Sequence, residues 1–305
     1  MCSPALIEGL CHHRDTPPAT SRRGFLRAAA GVGVGVPTAA ALAGAATASA
    51  ATAPAAPLPT AASVPTAAPI HTAALRGRVV DLTHELSADF PVWLRFTEIP
   101  VTKQVATLAA DGYNDKINTV NEHTGTHIDA PLHFDDSGLS VAQIPAEALV
   151  APLVVVRIAD RAAKNPVTEL AVDDILAWER RHGRVPDGAF VAMDSGWSRR
   201  VPVPGAFLNY DAATGQYLWP GISPEAAHFL VSDRRVAGAG VDTTSLDTGT
   251  REIPLAHQTI LPAGLYGLEC IADLDRVPDS GATLVVGAPK MRAGTGGPAR
   301  VLAFV

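Results

Sequence analysis

The sequence predicts an α/β domain, a mixed sheet with a few helices, formed by residues 76–305 of a 305-residue chain. Three observations carry that prediction. Short apolar, β-branched runs recur throughout that region. Two or three stretches look helical, and they cluster mid-chain. Strands and helices do not alternate regularly, which separates the chain from TIM-barrel and dinucleotide-binding folds.

In chain order, strands are expected at 79–82, 99–108, 117–121, 153–158, 190–193, 236–241, 268–272, 283–286 and 301–305. The first helix is expected at 172–182. It carries Val172, Ile175, Leu176 and Trp178 on one side, charges at Glu179, Arg180 and Arg181, and a stop at Gly183. The second begins at Ser223-Pro224-Glu225, a capping Ser before Pro at the first helical position, and runs to about residue 232. Residues 199–221 mix Pro, Gly and aromatics without periodicity, and read as a long ordered loop of the kind that often carries function.

The first 75 residues are different in kind. Ser-Arg-Arg-Gly-Phe-Leu-Arg at 21–27 precedes a run of small apolar residues that ends in Ala48-Ser49-Ala50. A basic region, a modest apolar region and an A-x-A cut site make an export signal, and Arg22-Arg23 gives it the twin-arginine form. The competing reading is a membrane anchor. An Ala/Gly segment interrupted by Pro37 is weakly apolar for a permanent span, so export with cleavage is expected and no stable span remains afterwards. Residues 51–75, rich in Ala, Pro and Thr, read as an extended linker.

Composition closes several classes. The chain is 47% hydrophobic with a net charge of −6 and no block of like charge, which argues against nucleic acid as a partner. Loss of residues 1–50 removes four arginines and two acids, making the mature chain more acidic. Cys2, Cys11 and Cys270 are the only cysteines, too few for a disulfide scaffold or a Cys-rich zinc module.

The chemistry concentrates in His123-Thr-Gly-Thr-His127-Ile-Asp129-Ala-Pro-Leu-His133. Imidazole and carboxylate are the usual donors for zinc and related divalent ions. A helix would turn Asp129 away from His123 and His127, and Gly125 and Pro131 disfavour one. A fully extended strand would spread the segment over about 33 Å. The segment must therefore bend, with Gly125 and Pro131 placed to do so, gathering its polar groups at one point. A polar surface loop is the competing reading, weakened by four donors around Gly and Pro. Further donors are His257, in an apolar stretch, and Glu269, inside an apparent buried strand. Taken alone, each is either a metal ligand or a satisfied core residue. Ser195 lacks the G-x-S-x-G elbow and reads as a turn residue after a strand.

The segment HTGTHIDAPLHF, His123 to Phe134, resembles the HxGTHxDxPxHF signature of the cyclase/kynurenine formamidase family, which includes isatin hydrolases. Val80-Asp81-Leu82-Thr83-His84 resembles that family's opening strand, residues 240–247 its G-x-D-x-x-S-x-D segment, and residues 296–300 its C-terminal G-x-P-x-R. The resemblance implies a swivelling β/β/α fold, a homo-oligomer, a small-molecule substrate and one or two divalent ions, zinc before manganese. It implies that His123, His127 and Asp129 hold one ion and Asp129, His257 and Glu269 the other, with Asp129 and Glu269 shared. It makes His133 the general acid/base. Trp93 falls where the formamidases place a substrate-contacting Trp; a core aromatic is the equal alternative.

Departures bear on the substrate. Leu94-Arg95 follow Trp93 where the formamidases have Pro-Gly, loop 199–221 is long, and the chain carries an export signal. The expected function is a secreted metal-dependent hydrolase of an amide, formamide or cyclic imide/lactone bond, with an aryl formamide as the leading substrate, as in tryptophan catabolism through kynurenine. The rival expectations are a ring-closing or dehydrating enzyme using the same metal, and a non-catalytic extracytoplasmic binding protein.

Overall fold

Nine strands form one sheet. In chain order they are β1 (Val79–Asp81), β2 (His127–Asp129), β3 (Val150–Arg157), β4 (Phe190–Asp194), β5 (Gly238–Val241), β6 (Tyr266–Glu269), β7 (Ala282–Gly287), β8 (Gly296–Pro298) and β9 (Arg300–Phe304). Among the described residues, three helices longer than four residues accompany them: α1 (Val172–His182), α2 (Pro224–Asp233) and α3 (Leu255–Ile260). The structure, a computed structural model, describes residues 77–93 and 97–305. The expected export signal and linker lie outside those residues.

The spatial order is β1-β9-β7-β3-β4-β5-β6-β2-β8. The four central strands β3, β4, β5 and β6 run parallel, and antiparallel strands flank them on both sides. Parallel strands are covered on both faces and so read as unbroken apolar runs. The run Leu153–Val156 in β3 divides accordingly: Leu153 and Val155 enter one core, Val154 and Val156 the other. The second core lies under α1, α2 and α3, sealed by Trp178, Leu230 and Ile260. In the first core, Val80 and Val301 from one end of the sheet pack with Ile128 and Leu268 from the other. The sheet therefore curls. A bridge between Thr83 and Ile271 ties the two ends together.

All nine strands expected from sequence are present, with ends shifted by a few residues; seven join the main sheet. The stretches near 99–108 and 117–121 instead form a separate antiparallel hairpin, Val101–Ala106 with Asp115–Thr119. Helix α1 has the bounds the sequence predicts. Its first turn is closed by Asp174, whose carboxylate accepts the Ala171 N–H at 2.8 Å, and Gly183 ends it with φ +88°. In α2, Ser223 Oγ accepts the Ala226 N–H at 3.1 Å, as a capping serine should. Segment 199–221 is ordered by burial of Phe207 and Trp219 around a two-residue hairpin, Tyr210–Asp211 with Gln216–Tyr217. Ser195 sits in a turn, with Gly196 at φ +70°, and donates to Asp242. Among the described residues no helix is long and apolar enough to cross a membrane.

Candidate metal centre

Strand β2 contains three residues, and its register places the chemistry. It pairs antiparallel with β6, setting His127 opposite Glu269 and Asp129 opposite Gly267. Directly opposed residues share a face, and alternate residues of one strand do too. His127, Asp129 and Glu269 therefore project to one side, while Ile128 and Leu268 enter the core on the other. On the far edge β8 sets Gly296 opposite Asp129. Both cross-strand neighbours of Asp129 are thus glycines. A Cβ at Gly267 would lie 3.1 Å from Asp129 Oδ2, and one at Gly296 would lie 2.7 Å from His123 Cε1. The missing side chains are the space the polar groups occupy.

The bends expected in the His-rich segment are present. Gly125 has φ +67°, which returns His123 toward the strand, and Pro131 opens the short helical turn Pro131–His133. The strand lies between the two bends. Helix α3, which no periodicity or end signal announced, delivers His257. Asp247 accepts the Ala256 N–H at 2.8 Å and the His257 N–H at 3.2 Å, fixing the start of that helix.

The side chains converge. His123 Nδ1 is 2.7 Å from Asp129 Oδ1, and His127 Nε2 is 3.3 Å from the same oxygen and 3.4 Å from Glu269 Oε2. His257 Nε2 is 2.9 Å from Glu269 Oε1 and 3.7 Å from Asp129 Oδ2. Both carboxylates thus face two histidines or more. Two compact donor groups result, His127/Asp129/Glu269 and His123/Asp129/His133. His133 stacks on His123 with ring centres 3.9 Å apart. The geometry thus places His133 within reach of a ligand role as well as an acid/base role.

Electrostatics shows what the cluster lacks. Burial works against a charged imidazole at His127, yet Asp129 and Glu269 overcome it and raise the pKa to about 10. Burial likewise opposes charge on His257, and Asp247, Glu269 and Asp129 raise its pKa to about 10. Burial raises the pKa of Asp129, but His127 and His123 outweigh it and hold the carboxyl well below its usual range. At His133 the protein packed around the ring, then His123 and His257, push the pKa down to about 4 against the pull of Asp129. Two buried carboxylates demand two positive charges, which one divalent cation supplies with neutral imidazoles. His127 Nε2 and Asp129 Oδ2 are buried and make no hydrogen bond. Buried polar atoms are normally paired, so two such atoms within one nitrogen/oxygen donor set fit a metal ion.

Trp93 is half-buried and packs edge-on against Trp219 at 4.9 Å and Tyr217 at 5.5 Å. Segment 199–221 thus builds an aromatic wall with Trp93. That wall is tied to the centre, because Trp219 Nε1 donates to the carbonyl oxygen of Asp247 at 3.0 Å. Cys270 is buried with φ +52° and packs within the aromatic cluster. His84, His182 and His228 stand outside the donor groups. Sequence reasoning alone assigned no role to Asp247, Thr295 or Glu122. Asp247 ends the G-x-D-x-x-S-x-D segment, which was a signal; Glu122 had none beyond adjacency to His123.

A curled mixed α/β sheet presenting buried His, Asp and Glu donors to one point defines a protein with a candidate metal-binding site. The chain belongs to the Cyclase family: the family's profile, described as "Putative cyclase", matches residues 80–248. It is 36% identical over 194 residues to an isatin hydrolase of Roseibium aggregatum, covering 61% of this chain and 73% of that one. It is 27% identical to a kynurenine formamidase of Paracidovorax citrulli, covering 60% of this chain and 76% of that one. Among solved structures, isatin hydrolase A from Labrenzia aggregata bound to benzyl benzoate superimposes with a TM-score of 0.71 and 38% identity, covering 77% of this chain and 96% of that one.

Proposed function

We propose that the chain hydrolyses the amide bond of a small aromatic substrate, a cyclic aryl amide of the isatin type ahead of an aryl formamide. The observation that carries this is the convergence of His127, Asp129 and Glu269 across paired strands, with buried nitrogen and oxygen atoms left unpaired. The order of substrates differs from the sequence expectation. It follows the higher identity to isatin hydrolase and the half-buried rings of Trp93 and Tyr217, backed by the fully buried Trp219, which suit an aromatic substrate. The hydrolytic names of the relatives favour hydrolysis over ring closure.

In this reading His123, His127, Asp129, His257 and Glu269 would hold one or two divalent ions. A nitrogen/oxygen set without thiolate suits zinc, with manganese as the alternative. Such an ion acidifies water and polarises a carbonyl. His133 reaches solvent and has an imidazole nitrogen free of its proton at neutral pH. It accepts a proton from the attacking water and delivers it to the departing amide nitrogen. Asp247 holds His257, and Phe134 stacks on the His257 ring at 5.0 Å, limiting water on that side.

The test is metal per chain by elemental analysis on residues 51–305, then turnover of isatin and of N-formylkynurenine. One or two ions per chain, faster turnover of the cyclic amide, and loss of both metal and activity in His127→Ala are expected. Retained activity in that variant refutes the reading.

Export through Arg22-Arg23 and self-association are part of the same proposal. The hairpin Val101–Ala106/Asp115–Thr119 exposes Val101, Val105 and Ile117, an apolar surface that supports assembly into a homo-oligomer. Light scattering reads the assembly, and fractionation of cells expressing the Arg22→Lys/Arg23→Lys chain reads export.

A further inference from the structure

We propose that Thr295 and Glu122 are positioning residues that decide which nitrogen of His123 faces the metal centre. The inference rests on the metal-centre reading above.

Glu122 Oε2 accepts the Thr295 N–H at 2.9 Å and the Thr295 hydroxyl at 2.7 Å. A hydroxyl has one proton, and here Glu122 takes it. Thr295 Oγ1 therefore meets His123 Nε2, 2.9 Å away, as an acceptor. That nitrogen must be the N–H, which leaves Nδ1, 2.7 Å from Asp129 Oδ1, to hold either a second proton or a cation. A lone pair and a carboxylate oxygen repel unless a positive charge lies between them, so the relay prepares Nδ1 for a cation.

The other two histidines are set the opposite way. His127 Nδ1 donates to the Gly125 carbonyl at 2.8 Å, and His257 Nδ1 faces Asp247 Oδ2 at 2.6 Å. Both present Nε2 to the cluster. Three imidazoles are thus locked by three separate acceptors, and only His123 is turned round. A ligating histidine is normally fixed through its other nitrogen, so each lock has a purpose.

The backbone around the relay is shaped for it. A Cβ at Gly294 would lie 3.0 Å from Glu122 Oε1, and one at Gly296 would lie 2.7 Å from His123 Cε1. Thr295 stands between two glycines because its neighbours must clear the carboxylate and the ring. The C-terminal G-x-P-x-R segment thereby gains a role: its first glycine makes room for His123, and the residue before it orients the ring.

The test reads metal binding and protonation, not turnover. Zinc affinity is measured by competition with a chromophoric chelator for wild type, Thr295→Val and Thr295→Ser. Two-bond 1H–15N spectra of the zinc-loaded wild type report the protonated nitrogen of each histidine. The expected result is His123 protonated at Nε2, with His127 and His257 protonated at Nδ1. Thr295→Val should lose roughly 10- to 100-fold in zinc affinity and Thr295→Ser should recover it. A purely structural role for Thr295 would alter the melting of the metal-free protein and leave no difference between Ser and Val in affinity. His123 protonated at Nδ1, or equal affinity in Val and wild type, overturns the proposal while leaving the metal centre intact. A wild type that binds neither zinc nor manganese overturns the metal centre itself. If Thr295→Val does not fold, the wild-type spectra decide alone.

Discussion

Asp247 performs two tasks, and one substitution separates them. Its side chain is buried, with Oδ1 accepting the Ala256 N–H at 2.8 Å and Oδ2 meeting His257 Nδ1 at 2.6 Å. Asp247→Asn keeps the shape and one oxygen but replaces the other with an NH2 donor. If that oxygen stays on Ala256, the NH2 faces His257 Nδ1 and forces its proton to Nε2, the nitrogen that looks into the cluster. The ligand is then in the wrong tautomer. If the amide flips, two N–H groups oppose one another at the start of α3, at a cost of about 1–3 kcal/mol for an unsatisfied buried donor. In the first arrangement the NH2 also opposes the His257 N–H, but that contact, at 3.2 Å, is longer than the 2.8 Å bond from Ala256, so the first arrangement costs the fold less and the loss should appear in metal binding. The expected fall in zinc affinity is roughly 10- to 100-fold, or about 1.4–2.8 kcal/mol. Chelator competition measures it, and thermal unfolding in excess chelator should show the metal-free fold little changed. Asp247→Ala should add a loss of about 1 kcal/mol in metal-free stability, because the helix cap goes too. Zinc affinity of the Asn variant within about three-fold of wild type, under 1 kcal/mol, would refute the tautomer argument.

Other expectations follow from single contacts. His133→Ala should keep its metal and lose turnover by about 10²- to 10⁴-fold; loss of metal, measured by elemental analysis, would make His133 a ligand. Burial and then Asp194 raise the Asp242 pKa to about 7, against the pull of Ser195 and Trp197. The folded chain thus holds that proton more tightly than the unfolded chain does. The contribution to stability is complete below about pH 4, falls as pH rises to about 7, and amounts to on the order of 4 kcal/mol. Urea unfolding across pH 4–8 should show that decline in wild type and its absence in Asp242→Asn; parallel curves would count against it. Gly296→Ala should cost about 1–3 kcal/mol in thermal unfolding, since its Cβ meets the Ile128 carbonyl oxygen at 2.5 Å as well as the His123 ring. A melting point equal to wild type would show that the strands give way easily.

Much of the fold was legible because burial leaves a residue pattern. Strand β3 reads as an unbroken apolar run because it is covered on both faces, and α1 reads as a stripe because only one side is covered. Strand β2 and helix α3 were harder to see. Each is short, and its key positions are polar because they serve the centre, so periodicity weakens where function begins. The ligand candidates were visible as residue types around Gly125 and Pro131. Their partners Thr295 and Glu122 were not, since a threonine and a glutamate carry no signal until strand pairing brings β8 beside β2.

The same pairing explains how so short a strand fixes a centre assembled from distant segments. The side-chain period in a strand is two, so a one-residue slip of β6 along β2 would send Glu269 into the core and Leu268 into the cluster. Leu268 and Ile128 are fully buried, and a slip would expose their apolar area while burying a carboxylate without a partner. Both penalties act in the same direction. The apolar face of β2 therefore sets the register, and the register sets the distance between His127 and Glu269. Selection for the core and selection for the metal centre bear on the same few residues. On this argument, a substitution at Leu268, which touches no donor, acts on the centre through strand register.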